Sequence, residues 1–181
     1  VSRTGRVAEP SDADLAARAR GGEIFAFEAL VHRHAHTAIA AAYRIIRDPA
    51  LAEDAAQEAF LRVHRGLGGY EERSEFAAWL RRIAIRCAID ILRRRHPREI
   101  SLASGNEPAD GGSERRIEDR IRLEAALARL SPVDRGLLIA LKAEGRAVAE
   151  VAQDFSMSET AVRVRTHRAR ARLRAILTEE R

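Results

Sequence analysis

Apolar residues recur at helical spacing along almost the whole chain. Residues 1–10 read as a loose tail, after which Ser11 or Asp12 caps a short helix that stops at Gly21-Gly22. From Glu23 to Ile46, the positions Phe27, Leu30, Val31, Ala38, Ala42 and Ile45 predict one long helix. Asp48-Pro49 places a cap and a first-turn proline before a third helix, which runs to about Leu67. Its stripe is Leu51, Ala55, Ala59 and Val63, with Phe60 and Leu67 beside it. Glycines at 66, 68 and 69 break the pattern, and residues 67–73 read as a loop. Ser74 is placed to cap a fourth helix that ends before Pro97, with Phe76, Leu80, Ile83, Cys87 and Ile91 turned inward.

The stretch ASGNEPADGGS interrupts the periodicity and marks residues 98–113 as a flexible linker between two domains. The helical pattern resumes at Glu114 with Ile117, Ile121, Leu123, Leu127 and Leu130. Ser131-Pro132 opens the next helix, to about Glu144, and Gly145 ends it. Two more helices follow, at about 147–154 and 158–178. The expected fold is therefore all-α: two small helical domains, 11–97 and 114–181, with no sheet.

The last two helices have helix-turn-helix spacing. Val148, Val151, Ala152 and Phe155 share one face, Phe155-Ser156-Met157 makes the turn, and Ser158 caps the second helix. On that helix, steps of about 100° per residue gather Val162, Thr166, Ala169, Leu173 and Ile176 on one side. Arg163, Arg170 and Arg174 flank the outward ridge Val164, His167 and Ala171 on one side; Arg165, Arg168 and Arg172 flank it on the other. A narrow ridge between two rows of arginine suits a helix in a major groove, its flanks reaching phosphates and its first turns reaching bases. Ser158, Glu159, Thr160 and Arg163 occupy those first turns.

Charge sharpens the picture. The chain of 181 residues carries a net +5, but residues 81–95 and 158–177 each hold six Arg against one acid. The remainder is net acidic, so two separate basic stretches suggest two contacts with nucleic acid. By contrast, residues 48–58 carry Asp48, Glu53, Asp54 and Glu58 with no base, as a protein-docking surface does. Cys87 is the only cysteine, which excludes an intrachain disulfide and a cysteine zinc cluster; it reads as a core filler. No apolar run approaches the roughly 18 residues of a membrane span, and no secretion signal opens the chain, so a cytoplasmic protein without membrane insertion is expected.

These segments resemble a known family. AEDAAQEAFLRVHRGL is similar to the polymerase-docking helix of the extracytoplasmic-function (ECF) sigma factors. EFAAWLRRIAIRCAIDILRRR is similar to their minus-ten-reading, promoter-melting helix. LARLSPVDRGLLIALKAEG with AEVAQDFSMSETAVRVRTHRARARLR resembles their minus-thirty-five-reading domain. The motifs stand in the family's order over roughly residues 12–177.

The resemblance implies a non-enzymatic subunit that binds core RNA polymerase and recognises and melts promoter DNA. Polymerase contacts fall on Asp54, Gln57, Glu58, Phe60 and Leu61, facing the clamp helices of the largest subunit, and the C-terminal domain faces the flap. Minus-ten contacts fall on Tyr70, Arg73, Ser74, Trp79, Arg82, Arg86, Arg93 and Arg94. Minus-thirty-five contacts fall on Ser158, Glu159, Thr160, Arg163, Arg165, His167, Arg168 and Arg170. The linker would thread toward the RNA exit path, and the protein would join the nucleoid when bound to polymerase. With no sensory domain expected beyond the last helix, a separate anti-sigma factor is the default regulator. No cofactor or metal is implied.

Three departures stand out: Arg86 where the family usually has Asn, Ser156 where the turn usually has Gly, and Ala147-Val148-Ala149-Glu150 in place of an aromatic-acid-acid run. Together they suggest an atypical subgroup. An ordinary helix-turn-helix regulator would explain residues 114–181 but neither the acidic helix nor the basic 81–95 helix. A nuclease or recombinase would need clustered carboxylates or an activated nucleophile. His32 and His36 share a helical face, but no third ligand stands beside them in the sequence.

Overall fold

The computed structural model describes residues 9–70, 75–95 and 114–179. Arg73, Ser74 and the linker 98–113 lie outside these residues. Every regular element among them is helical.

Helix α1 (Asp12–Arg20) begins with a reciprocal capping box: Asp14 N donates to Ser11 Oγ and Ser11 N donates to Asp14 Oδ2, both at 3.1 Å. Ser11, rather than Asp12, is the cap. Asp12 instead accepts from Arg33 Nη1 at 2.7 Å and pairs with His34 Nε2 at 2.8 Å, tying α1 to α2 (Ile24–Ile46). Asp48 caps α3 (Pro49–Gly66) through Leu51 N, with Pro49 at the first helical position. A 3₁₀ turn (Leu67–Gly69) follows, and α4 spans Phe76–Arg95.

Helices α2, α3 and α4 pack together through small side chains. Ala38, Ala42, Ala52, Ala55, Ala59, Ala84 and Ala88 are all fully buried. Alanine lets helix axes approach toward the short end of the usual 8–10 Å range. Larger residues (Leu30, Ile45, Phe76 and Leu80) close the remaining space. Of the inward positions expected on α4, Phe76, Leu80 and Cys87 are buried, while Ile83 and Ile91 are half-buried.

The second domain holds α5 (Glu114–Ala128), α6 (Pro132–Leu138), a π-helical turn (Ile139–Ala143), α7 (Val148–Phe155) and α8 (Glu159–Glu179). Ser131 caps α6 through Asp134 N, and Gly145 takes a φ of 63° where the chain turns back. Ser156 adopts the left-handed conformation, φ 54°, between α7 and α8. Glycine is the residue that suits that geometry, so Ser156 holds the turn at a modest conformational cost.

The domains do not stay apart. Ala126, Leu130, Leu138, Ala169 and Ile176 form a small core where α5, α6 and α8 meet. Leu137, Ala140, Val151, Ala152, Phe155 and Val162 instead join the core of the first domain. Helix α7 lies on α4, and α6 lies on α2. Gly136 sits where α6 meets Ile45: a Cβ there would overlap Ile45 Cδ1 and stand 3.0 Å from Phe155 Cζ. Gly136→Ala should therefore cost about 1–3 kcal/mol in denaturant unfolding through overpacking. Ile45→Val removes the obstructing methyl, so the double variant should lose less than the sum of the single losses.

Candidate nucleic-acid and polymerase interface

Helix α3 turns its apolar side into the core and its acids outward. Asp54 and Gln57 are exposed, and Leu61 is 53% exposed beside them. Glu58 accepts from Arg62 Nε at 2.8 Å, and Arg62 reaches Asp90 of α4 at 3.2 Å. Phe60, grouped with these by sequence, is buried at 8% exposure and fixes the helix from below.

The residues expected to meet the minus-ten element divide into three groups. Tyr70 and Trp79 pack within the domain: their rings stack with centroids 5.0 Å apart, and both meet Phe76 edge-on. Tyr70 is buried and Trp79 half-buried. Arg93 and Arg94 are exposed near the end of α4. Arg82 and Arg86 turn toward the second domain. Arg86 Nε donates to Ser156 Oγ at 2.9 Å and Arg82 Nη1 to Gln153 Oε1 at 3.4 Å.

Helix α8 matches its wheel. Val162, Thr166, Ala169 and Ile176 are buried, Leu173 is half-buried, and Val164, His167 and Ala171 are exposed. Ser158 Oγ caps it through Ala161 N at 3.1 Å. Arg168, Arg170, Arg172 and Arg174 are exposed. Arg163 pairs with Glu159 one turn back at 3.2 Å. Arg165 is the exception on the outer flanks: its Nε bonds Asp134 Oδ1 at 2.5 Å, fixing α8 against the start of α6.

Sequence reading missed a cluster of charge between the domains. Asp154 is 2% exposed, and its Oδ2 lies 2.9 Å from Arg81 Nε and 2.5 Å from Arg146 Nη1. Arg44 Nε meets Glu144 Oε1 at 2.6 Å. Arg135 Nη2 donates to the carbonyl of Ile45 at 2.5 Å, at the end of α2. Burial pushes Arg135 down to about 10, with Arg47 adding to the effect and Tyr43 opposing it. It therefore remains a cation at neutral pH, desolvated between the domains. One signal was available: Asp154 falls on the apolar face with Val151 and Phe155, where an unpaired acid would be costly.

The chain also matches known proteins. The family description Sigma-70 region 2 matches residues 30–98, and Sigma-70, region 4 matches residues 120–173. The ECF RNA polymerase sigma factor SigM of Mycobacterium tuberculosis is 34% identical over 171 residues, covering 93% of this chain and 86% of SigM. The chain belongs to the ECF sigma factors of the sigma-70 family. The RNA polymerase sigma factor CarQ of Myxococcus xanthus is 35% identical, over 90% of this chain and 95% of CarQ. Among solved structures, CnrH in complex with the cytosolic domain of CnrY superposes with a TM-score of 0.63 at 26% identity, covering 95% of this chain and all of that one.

The single cysteine of this ECF chain, Cys87, is buried. Burial pushes the Cys87 thiol up from 9.0 to about 11, Glu58 and Asp90 adding to the effect and Arg62 opposing it. Among the described residues no cluster of three His, Cys, Asp or Glu side chains could hold a metal; His32 and His36 are exposed, and His34 is buried on Asp12. No described helix is long and apolar enough to cross a membrane. Cys87 should resist iodoacetamide at pH 8 in the native chain and react fully in denaturant, followed by mass spectrometry. Because its folded value is raised, the stability it supports is complete below about pH 9 and is lost as pH rises through about 11.

Proposed function

We infer that this chain directs RNA polymerase to promoters, with α3 docking on the polymerase, the outer side of α4 meeting the minus-ten element and α8 reading the minus-thirty-five element. The observation that carries the reading is the presentation of α8: a ridge of Val164, His167 and Ala171 stands clear of the fold between rows of exposed arginine. That is the geometry of a helix seated in a major groove. The acidic outer face of α3, with Leu61 uncovered among polar neighbours, supports protein docking. A stand-alone regulator uses neither this face nor the basic α4, and both regions fall within the Sigma-70 region 2 match. An anti-sigma factor as regulator is supported by the superposition on CnrH, solved with CnrY, since that match runs through both domains. The chemistry is binding and strand separation driven by binding energy, with no bond made or broken by the chain, and its setting is the cytoplasm and nucleoid.

Asp54→Arg should weaken binding to core RNA polymerase by about ten-fold or more in a fluorescence titration. Glu58 is best left in place, because reversing it would set a second arginine against Arg62 and its bond to Asp90. Unchanged affinity with intact helicity would remove α3 as the docking helix.

For α8, Arg163→Ala and Arg172→Ala should differ in kind. In holoenzyme, Arg163→Ala should cost about 1–3 kcal/mol on the cognate upstream element and little on a scrambled one. Arg172→Ala should weaken both alike and reduce the salt slope by about one. Equal losses on both duplexes from both variants would mean that α8 does not lie in the groove as assigned.

A further inference from the structure

Arg165 and Arg172 stand seven residues apart on α8. At about 100° and 1.5 Å per residue, they lie within about 20° of one azimuth and about 10 Å apart along the axis. The spacing that puts both on one flank makes no distinction between them, yet Arg172 is exposed and Arg165 is held. Asp134, in the first turn of α6, makes the difference. Its Oδ1 accepts from Arg165 Nε at 2.5 Å, and its Oδ2 accepts from Ser131 Oγ at 2.7 Å. Both carboxylate oxygens therefore have donors, and the acid is largely buried.

Asp134, Arg165, Arg168 and Arg172 line one open groove of about 600 Å³ between the start of α6 and this flank of α8. The Arg165 side chain is 41% exposed, so rotation about its own bonds would bring the guanidinium out beside the other two. That rotation would leave the Asp134 carboxylate without its cation next to a DNA backbone, where like charges oppose each other. The pair within the chain is the better arrangement for Arg165, and the carboxylate is what makes it so.

We propose that Asp134 is a positioning residue for DNA binding: it holds Arg165 back against α6, so that this flank of α8 grips the phosphate backbone through Arg168 and Arg172, and it thereby limits how tightly the chain binds DNA of any sequence. The proposal rests on the promoter reading above. A phosphate contact carries no sequence information and adds alike to a promoter and to every other site. A genome offers about 10⁶ or more such competing sites. A third backbone cation on this flank would lengthen each stay at a wrong one and slow the search.

The test uses holoenzyme. Equilibrium binding is measured at several salt concentrations on a promoter fragment that the wild-type holoenzyme transcribes and on a scrambled duplex of the same length. Asp134→Asn removes the charge and keeps a polar partner for Ser131. It should raise affinity for both duplexes alike, about five-fold or more at about 0.1 M salt, and steepen the salt slope by about one, the mark of one more phosphate contact. Asp134→Ser, a second neutral variant, should give the same gain, whereas Asp134→Glu, which retains the charge, should keep the wild-type slope. Adding Arg165→Gln to Asp134→Asn should abolish the gain, since the released guanidinium is its source. Neutral variants with wild-type helicity and no steeper slope would overturn the proposal. A gain confined to the promoter fragment, or one that survives Arg165→Gln, would overturn it too. Arg172→Ala reports on the promoter reading separately. If it lowers neither affinity nor slope, α8 does not meet the backbone, and the reading and the proposal fail together. If it lowers both while the neutral variants raise neither, only the role of Asp134 fails.

Discussion

The close approach of α2, α3 and α4 through alanine is the constraint on which the rest of the structure depends. With alanine at many of the contact positions, these helices pack closely, and that packing decides which residues face outward. On α3 the outward residues include Asp54, Gln57 and Leu61; on α4 they include the arginines. The outward faces of α3 and α4 are what remain after the alanine faces are buried. Arg62, bridging Glu58 and Asp90, ties the two at their edges without filling the space between them.

The second domain solves a different problem. It is too small to bury a sizeable core alone, and its own cluster holds only Ala126, Leu130, Leu138, Ala169 and Ile176. The other apolar face, built from Leu137, Val151, Phe155 and Val162, is covered by the first domain. Charge then sets the register of that contact. Arg81, Arg146 and Asp154 form a largely buried group in which one carboxylate lies between two guanidiniums, and Arg135 satisfies the end of α2. Such groups contribute little net stability, because the cost of desolvation offsets most of the attraction.

The arginines of α4 are engaged across this contact by three kinds of acceptor: Arg81 by the carboxylate of Asp154, Arg82 by the amide oxygen of Gln153 and Arg86 by the hydroxyl of Ser156. Arginine suits such a surface because its planar guanidinium presents several donors in a fixed fork.

The sequence by itself determined the helices, their caps and the outward ridge of α8, because these depend on residues three or four apart. Ser11, Asp48, Ser131 and Ser158 each cap the helix that they precede, and the wheel of α8 matches its burial. The ordered motifs were likewise enough to place the chain in its family. Only the tertiary structure decided that Phe60 and Tyr70 lie inside, that Arg165 is held by Asp134, and that Arg81 and Arg86 meet the other domain. The three arginine outcomes depend on contacts between residues about 30 to 70 positions apart, for which helical periodicity holds no information. An arginine on the flank of an apolar stripe has the same local pattern whether it faces water, a phosphate or a buried aspartate.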